Sequence, residues 1–179
     1  GGWRMRRRIF WARPEGWDWT GPVLASLLLL LGGAGLWAVY QSQQIPDDPV
    51  NVTFPLRDGA FYVASGGSQS LMNPHMKVQA PELYEWRGQL WGLDVVALYP
   101  SGNRAAGLYP TTLDRYAIFE APVYAPCDGT VEATEEMLPD LIPPARDTAR
   151  KACNYVLLRC APDAYVLLAH LKHQSVQVE

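Results

Sequence analysis

The chain has 179 residues, enough for one ordinary domain and an appendage, and its 49% hydrophobic and 18% charged residues exclude a disordered polymer. The formal net charge of −3, with no basic stripe beyond the extreme N-terminus, gives no case for nucleic acid as a partner. Fifteen prolines and fifteen glycines point to a loop-rich β domain rather than a helical bundle.

Arg4, Arg6, Arg7, Arg8 and Arg13 precede a stretch, residues 19–46, that carries no charge. Its apolar centre, residues 22–40, is 19 residues long, about what a helix needs to cross the hydrocarbon core. The arginines predict a cytoplasmic segment over residues 1–21, with everything after Tyr40 outside. Trp17, Trp19, Trp37 and Tyr40 fall where interfacial aromatics belong. The rival is a cleaved signal peptide with an apolar stretch at 23–31, but no clean Ala-x-Ala site follows, and an uncleaved anchor is the preferred expectation. Met5 is a candidate start. Residues 41–55, polar and punctuated by proline, predict an extended linker, and the domain proper is expected over 56–179.

Within that domain Phe61-Tyr62-Val63-Ala64 predicts a short strand ended by Ser65-Gly66-Gly67-Ser68. Asn73-Pro74-His75-Met76-Lys77 is expected in a loop. Residues 89–98 predict a strand with Trp91, Leu93, Val95 and Ala97 on one face and Asp94 on the other. A lone aspartate in such a run most often accepts hydrogen bonds or an ion pair, and otherwise ligates a metal. Further on, Val123–Ala125 and residues 130–134 predict strands around a turn at 126–129. Residues 154–171 predict a β-hairpin turning at Ala161-Pro162-Asp163-Ala164, with Val166, Leu168 and His170 sharing one face. Residues 135–152, with three prolines, form a long insertion that either folds over a groove or is a solvated excursion.

Three segments carry a resemblance: Ala125-Pro126-Cys127-Asp128-Gly129-Thr130-Val131, then Asn154-Tyr155-Val156, then Ala169-His170-Leu171. In order and spacing they resemble the M23 metallopeptidases typified by lysostaphin and LytM. The commoner members carry His-x-x-x-Asp, whose histidine would fall at Leu90. A membrane-anchored branch, with an Asn-x-His segment and a later Gln-x-x-x-Leu-Asp strand, is more similar to Asn73-Pro74-His75 and to residues 89–94. The resemblance implies a mainly β, antiparallel LytM-like domain, of the duplicated-hybrid-motif kind, behind one transmembrane helix. It implies Zn²⁺ as cofactor, with His75 and Asp94 as ligands and His170 as the catalytic imidazole beside them. The implied activity is a membrane-anchored endopeptidase cutting peptidoglycan peptide cross-links. The family's closing His-x-His motif is not found, His173 cannot stand in for it, and the expectation is a domain cut short before it. The alternative is a degenerate, zinc-free LytM-like domain that binds cell wall or activates another hydrolase. A lipoyl-like carrier would need a lysine at a hairpin tip, and neither turn has one.

Of the three cysteines, Cys127 and Cys160 lie at the ends of predicted core strands, and outside the cytoplasm their pairing as a disulfide is expected. Cys153, where the resembling family more often has glycine, is left over, free or available to a second chain.

Overall fold

The computed structural model describes Gly16, residues 18–45 and residues 49–178. The arginine cluster, Met5, Trp17 and Glu179 lie outside the described residues. The chain divides into two compact units, Gly1–Tyr40 and Gln41–Glu179.

The first unit holds the helix α1 (Thr20–Gln41), 22 residues without a charged side chain. At 1.5 Å per residue it is about 33 Å long, and by length and composition it is long and apolar enough to cross a membrane. Asp18 sits just ahead of it and accepts from the Thr20 amide (2.9 Å) and hydroxyl (2.6 Å). Those bonds hold the Asp18 carboxyl below its usual range, and its negative charge favours the helix start.

The second unit is built on two small antiparallel sheets and is a mixed fold with short 3₁₀ turns. One sheet pairs β1 (Ala60–Ser65) with β2 (Asp94–Leu98). The other has the order β3 (Thr130–Glu135), β4 (Asn154–Ala161) and β5 (Ala164–Leu171). The β4–β5 hairpin turns at Pro162-Asp163, as the Pro-Asp signal predicts. Among the described residues the buried apolar side chains are Met76, Ala97, Val156 and Leu158. Among the described residues the apolar core is thus small, and two asparagines, Asn73 and Asn154, are buried as well.

Three expectations change. Residues 89–93 do not belong to a strand: a 3₁₀ helix runs over Pro81–Gln89, and the Gly92 amide closes a turn on the Gln89 carbonyl (2.9 Å). Trp91 and Leu93 are consequently exposed rather than on a core face. The expected loop at 73–77 is a 3₁₀ turn, Pro74–Gln79, with Asn73 as its N-cap and proline in its first turn, where a missing amide costs nothing. Val123–Ala125 is not a regular strand. Its segment is bridged to residues 53–55 by Thr53 N–H to the Pro126 carbonyl (2.7 Å) and Tyr124 N–H to the Pro55 carbonyl (2.8 Å). The stretch expected as a tether therefore ends in ordered backbone of the second unit.

Cys127 and Cys160 are joined by a disulfide with Cα atoms 5.7 Å apart. Beside it, a Cβ on Gly129 would lie 2.4 Å from the Arg159 carbonyl oxygen, so only glycine admits this approach of the two strands. Cys153 is free and holds φ +51°, in the left-handed region that favours glycine. Burial pushes its thiol pKa up, and the Asp147 carboxylate adds to that while Arg150 opposes it.

The insertion after β3 is fastened at both ends. Asn154, 2% exposed, donates to the Leu138 carbonyl (2.8 Å) and accepts from the Leu138 amide (2.9 Å). Asp140 accepts from the His173 amide (2.8 Å), and the Glu136 carbonyl accepts from the Gln174 amide (2.9 Å). Residues 136–140 thus lie along the segment that follows β5 and are no free excursion. Farther on, Asp147 accepts from the Ala149 and Arg150 amides, and the Arg150 bonds hold its carboxyl low.

Candidate metal site

His75 and Asp94, nineteen residues apart in sequence, meet: His75 Nε2 lies 3.1 Å from Asp94 Oδ1. His75 stands in the 3₁₀ turn Pro74–Gln79, and Met76 beside it is buried, which pins the turn to the core. Burying a methionine side chain stabilises by roughly 1.5–3 kcal/mol. Asp94 opens β2 opposite Ser65, where the pairing slips between Val63 and Ser65 and leaves Ala64 as a bulge. Bulges at a strand end turn the local backbone and re-aim its side chains. The side chains of His75 and Asp94 are 25% and 50% exposed, so a solute reaches both.

A single buried residue holds this end of the sheet together. Asn73, 0% exposed, accepts the His75 amide on Oδ1 (3.1 Å) and donates from Nδ2 to the carbonyls of Gly67 (2.9 Å) and Gly92 (3.2 Å). Gly67 follows β1 and Gly92 precedes β2, so the amide spans the open end of the strand pair. Gly92 in turn makes room for the imidazole: a Cβ there would stand 3.0 Å from His75 Cγ and 3.1 Å from Cδ2. Sequence reading named Asn73 only as part of a motif and missed Gly92. An Asn-Pro pair as N-cap and first turn was the available signal for Asn73.

The two donor atoms suit a small divalent cation. Bonds of about 2.0–2.1 Å from a tetrahedral zinc place neighbouring nitrogen and oxygen ligands about 3.3 Å apart. The observed 3.1 Å matches such an edge, and it is equally a hydrogen bond when Nε2 carries the imidazole proton. Among the described residues no third histidine, cysteine or acidic residue joins them to complete a group of three.

His170 does not extend the core face of β5. Val166 and Leu168 pair with the buried Leu158 and Val156, and regular pairing would put His170 opposite Asn154. Instead Leu171 takes that place, and His170 becomes the extra residue with φ +61°, its amide bonded to the Ala152 carbonyl (3.0 Å). The bulge turns the imidazole out to solvent, so the face predicted from alternation ends at Leu168. His173 has a buried Nδ1 without a hydrogen-bond partner.

Compared with known proteins, the chain finds no match among family models, curated sequences or solved structures.

Proposed function

We propose that this is a membrane-anchored zinc metalloendopeptidase of the M23, LytM-like kind, acting on the peptide cross-links of peptidoglycan, with its β domain outside the cytoplasm. The observation that carries the reading is the 3.1 Å approach of His75 Nε2 to Asp94 Oδ1, from the two segments that resemble the family's ligand motifs. Three further features support it. Gly129, in the motif Asp128-Gly129-Thr130, occupies a spot no side chain fits. Cys153, at a family glycine position, has a glycine-like φ of +51°. The Cys127–Cys160 disulfide suits an oxidising compartment, and the arginines before α1 suit a cytoplasmic N-terminus.

In this reading His75 offers the Nε2 lone pair and Asp94 a half-exposed carboxylate to the metal. Zinc held by these two residues would supply Lewis-acid polarisation of a scissile carbonyl and a water activated near neutral pH. The resemblance gives His170, exposed at the end of β5, the part of the imidazole that would move the proton. A second reading, a zinc-free domain that binds cell wall or activates another hydrolase, is favoured by the two-donor site among the described residues.

Zinc titration and muropeptide analysis of the full chain separate the readings. The enzyme reading expects one zinc per chain and released cross-link peptides. Asp94→Ala and His75→Ala should lose metal, while His170→Ala keeps metal and loses about 10²–10⁴-fold in turnover. Unchanged zinc content in His75→Ala sinks the site. Retention on insoluble peptidoglycan without zinc or hydrolysis establishes the second reading.

A further inference from the structure

We infer that Asn73 is the positioning residue of the His75–Asp94 pair; the inference rests on the proposed metal site but concerns the pair's geometry, which exists without metal. Every polar group of Asn73 is used. Its amide donates to the Gln69 carbonyl (2.8 Å), its carbonyl accepts from Met76 N–H (3.1 Å), and its side chain makes the three bonds to His75, Gly67 and Gly92. A side-chain amide has one oxygen and two N–H donors, and all three are spent here. Two of those bonds act directly on the pair. The bond to the His75 amide fixes where the 3₁₀ turn starts. The bond to the Gly92 carbonyl fixes the backbone against which the His75 ring packs and from which, two residues later, Asp94 projects. The third, to Gly67, holds the end of β1, whose Ser65 pairs with Asp94. One side chain thus sets both members of the pair relative to each other through hydrogen bonds to backbone groups.

Asparagine is specific for this task. Aspartate keeps the acceptor for the His75 amide but turns a carboxylate oxygen toward the Gly67 and Gly92 carbonyls, where two donations are needed. Asn154 provides the matched control: also buried, also clamping a loop through its amide, but at Leu138, away from the His75 turn.

The test compares Asn73→Asp, Asn73→Ala and Asn154→Asp in the full chain in detergent micelles. Circular dichroism and thermal unfolding establish that each variant is folded at the working temperature. The first readout, without metal, is the ¹⁵N shifts of the His75 ring and its nuclear Overhauser contacts to Gly92. The second is zinc affinity by chelator competition. The expected result is that both Asn73 variants move the His75 ring signals and weaken zinc binding by about 10–100-fold, while Asn154→Asp changes neither. Wild-type His75 signals and affinity in folded Asn73 variants overturn the inference. So does an equal effect from Asn154→Asp, which makes the loss general loosening. Should an Asn73→Ala chain not fold, Asn73→Asp with its retained acceptor decides the matter, and should neither fold, Asn73 is a folding residue and the inference fails. Absence of zinc binding in the parent chain defeats the proposed function instead, and the His75 ring signals still decide the role of Asn73.

Discussion

Gly92→Ala tests the packing of the site by adding one methyl group. Gly92 lies outside the left-handed region, so alanine meets no backbone penalty, and loss of unfolded-state freedom favours it by about 0.4–1 kcal/mol. Against that, the new Cβ stands 3.0 Å from the Gln89 carbonyl oxygen, 3.0 Å from His75 Cγ and 3.1 Å from Cδ2. Carbon atoms settle at about 3.5–4.0 Å, so the ring must give by a few tenths of an ångström. The His75–Asp94 contact, at 3.1 Å, moves with it. A shift away stretches it toward about 3.5 Å, and a shift toward Asp94 compresses it toward about 2.7 Å. Overpacking of this kind costs about 1–3 kcal/mol, which leaves a net loss near 1–2 kcal/mol and a Tm lower by about 3–6 °C for a chain of this size. Urea unfolding of the full chain in micelles gives the stability, and the His75 ring resonances give the displacement. A Gly92→Ala protein at least as stable as the parent, with unshifted His75 resonances, would refute the packing argument.

Two further outcomes are expected. Cys127→Ser opens a loop of sequence separation 33, which in the chain-entropy treatment lowers stability by about 4 kcal/mol; a loss of unfolding free energy under about 1 kcal/mol in denaturant titration refutes that estimate. Cys153, whose thiol is pushed up by burial and then by Asp147, should react with iodoacetamide at neutral pH more slowly than an unstructured cysteine peptide, with Asp147→Asn recovering part of the rate. Equal rates for protein and peptide remove the claimed shielding.

The parts of this fold that local chemistry dictates were legible in the sequence. The β4–β5 hairpin follows from two runs rich in valine, leucine and tyrosine around Pro162-Asp163, and α1 follows from an uncharged apolar stretch. What was not legible depends on register. Alternation put His170 on the face of Val166 and Leu168, because a period of two has no means of marking where a bulge falls. The bulge arises from a distant partner: Ala152, reached by the chain only after the insertion, takes the His170 amide. The strand expected from residue 89 failed for a similar reason. Residues 89–93 have the composition of a strand, but the turn at Gly92 makes the seat for an imidazole donated from seventeen residues earlier. His75 and Asp94 were named from resemblance, and no local pattern brings two residues nineteen positions apart to one hydrogen-bond length.

The two asparagine clamps explain how a domain with so small a buried apolar core can hold a defined site. Segments 66–93 and 136–153 lack strand partners for most of their length, so their backbone groups must be satisfied locally or by water. Apolar burial would fix their distance from the core but not their rotation, since it is non-directional. An asparagine amide fixes both, because each of its bonds has a preferred line and each loss leaves a buried group unpaired, at about 1–3 kcal/mol. Asn73 does this where the chain delivers His75 to Asp94, and Asn154 does it where the insertion returns to the strand beside His170. Only the Asn73 clamp bonds directly to the backbone of the His75–Asp94 pair, through the His75 amide. Its consequence can be measured: hydrogen exchange of the His75 amide, which ends on Asn73, should be slowed to nearly the level of the β4 amides, although it lies in a 3₁₀ turn. Exchange of the His75 amide as fast as that of an exposed loop would show that the Asn73 bond does not hold the turn.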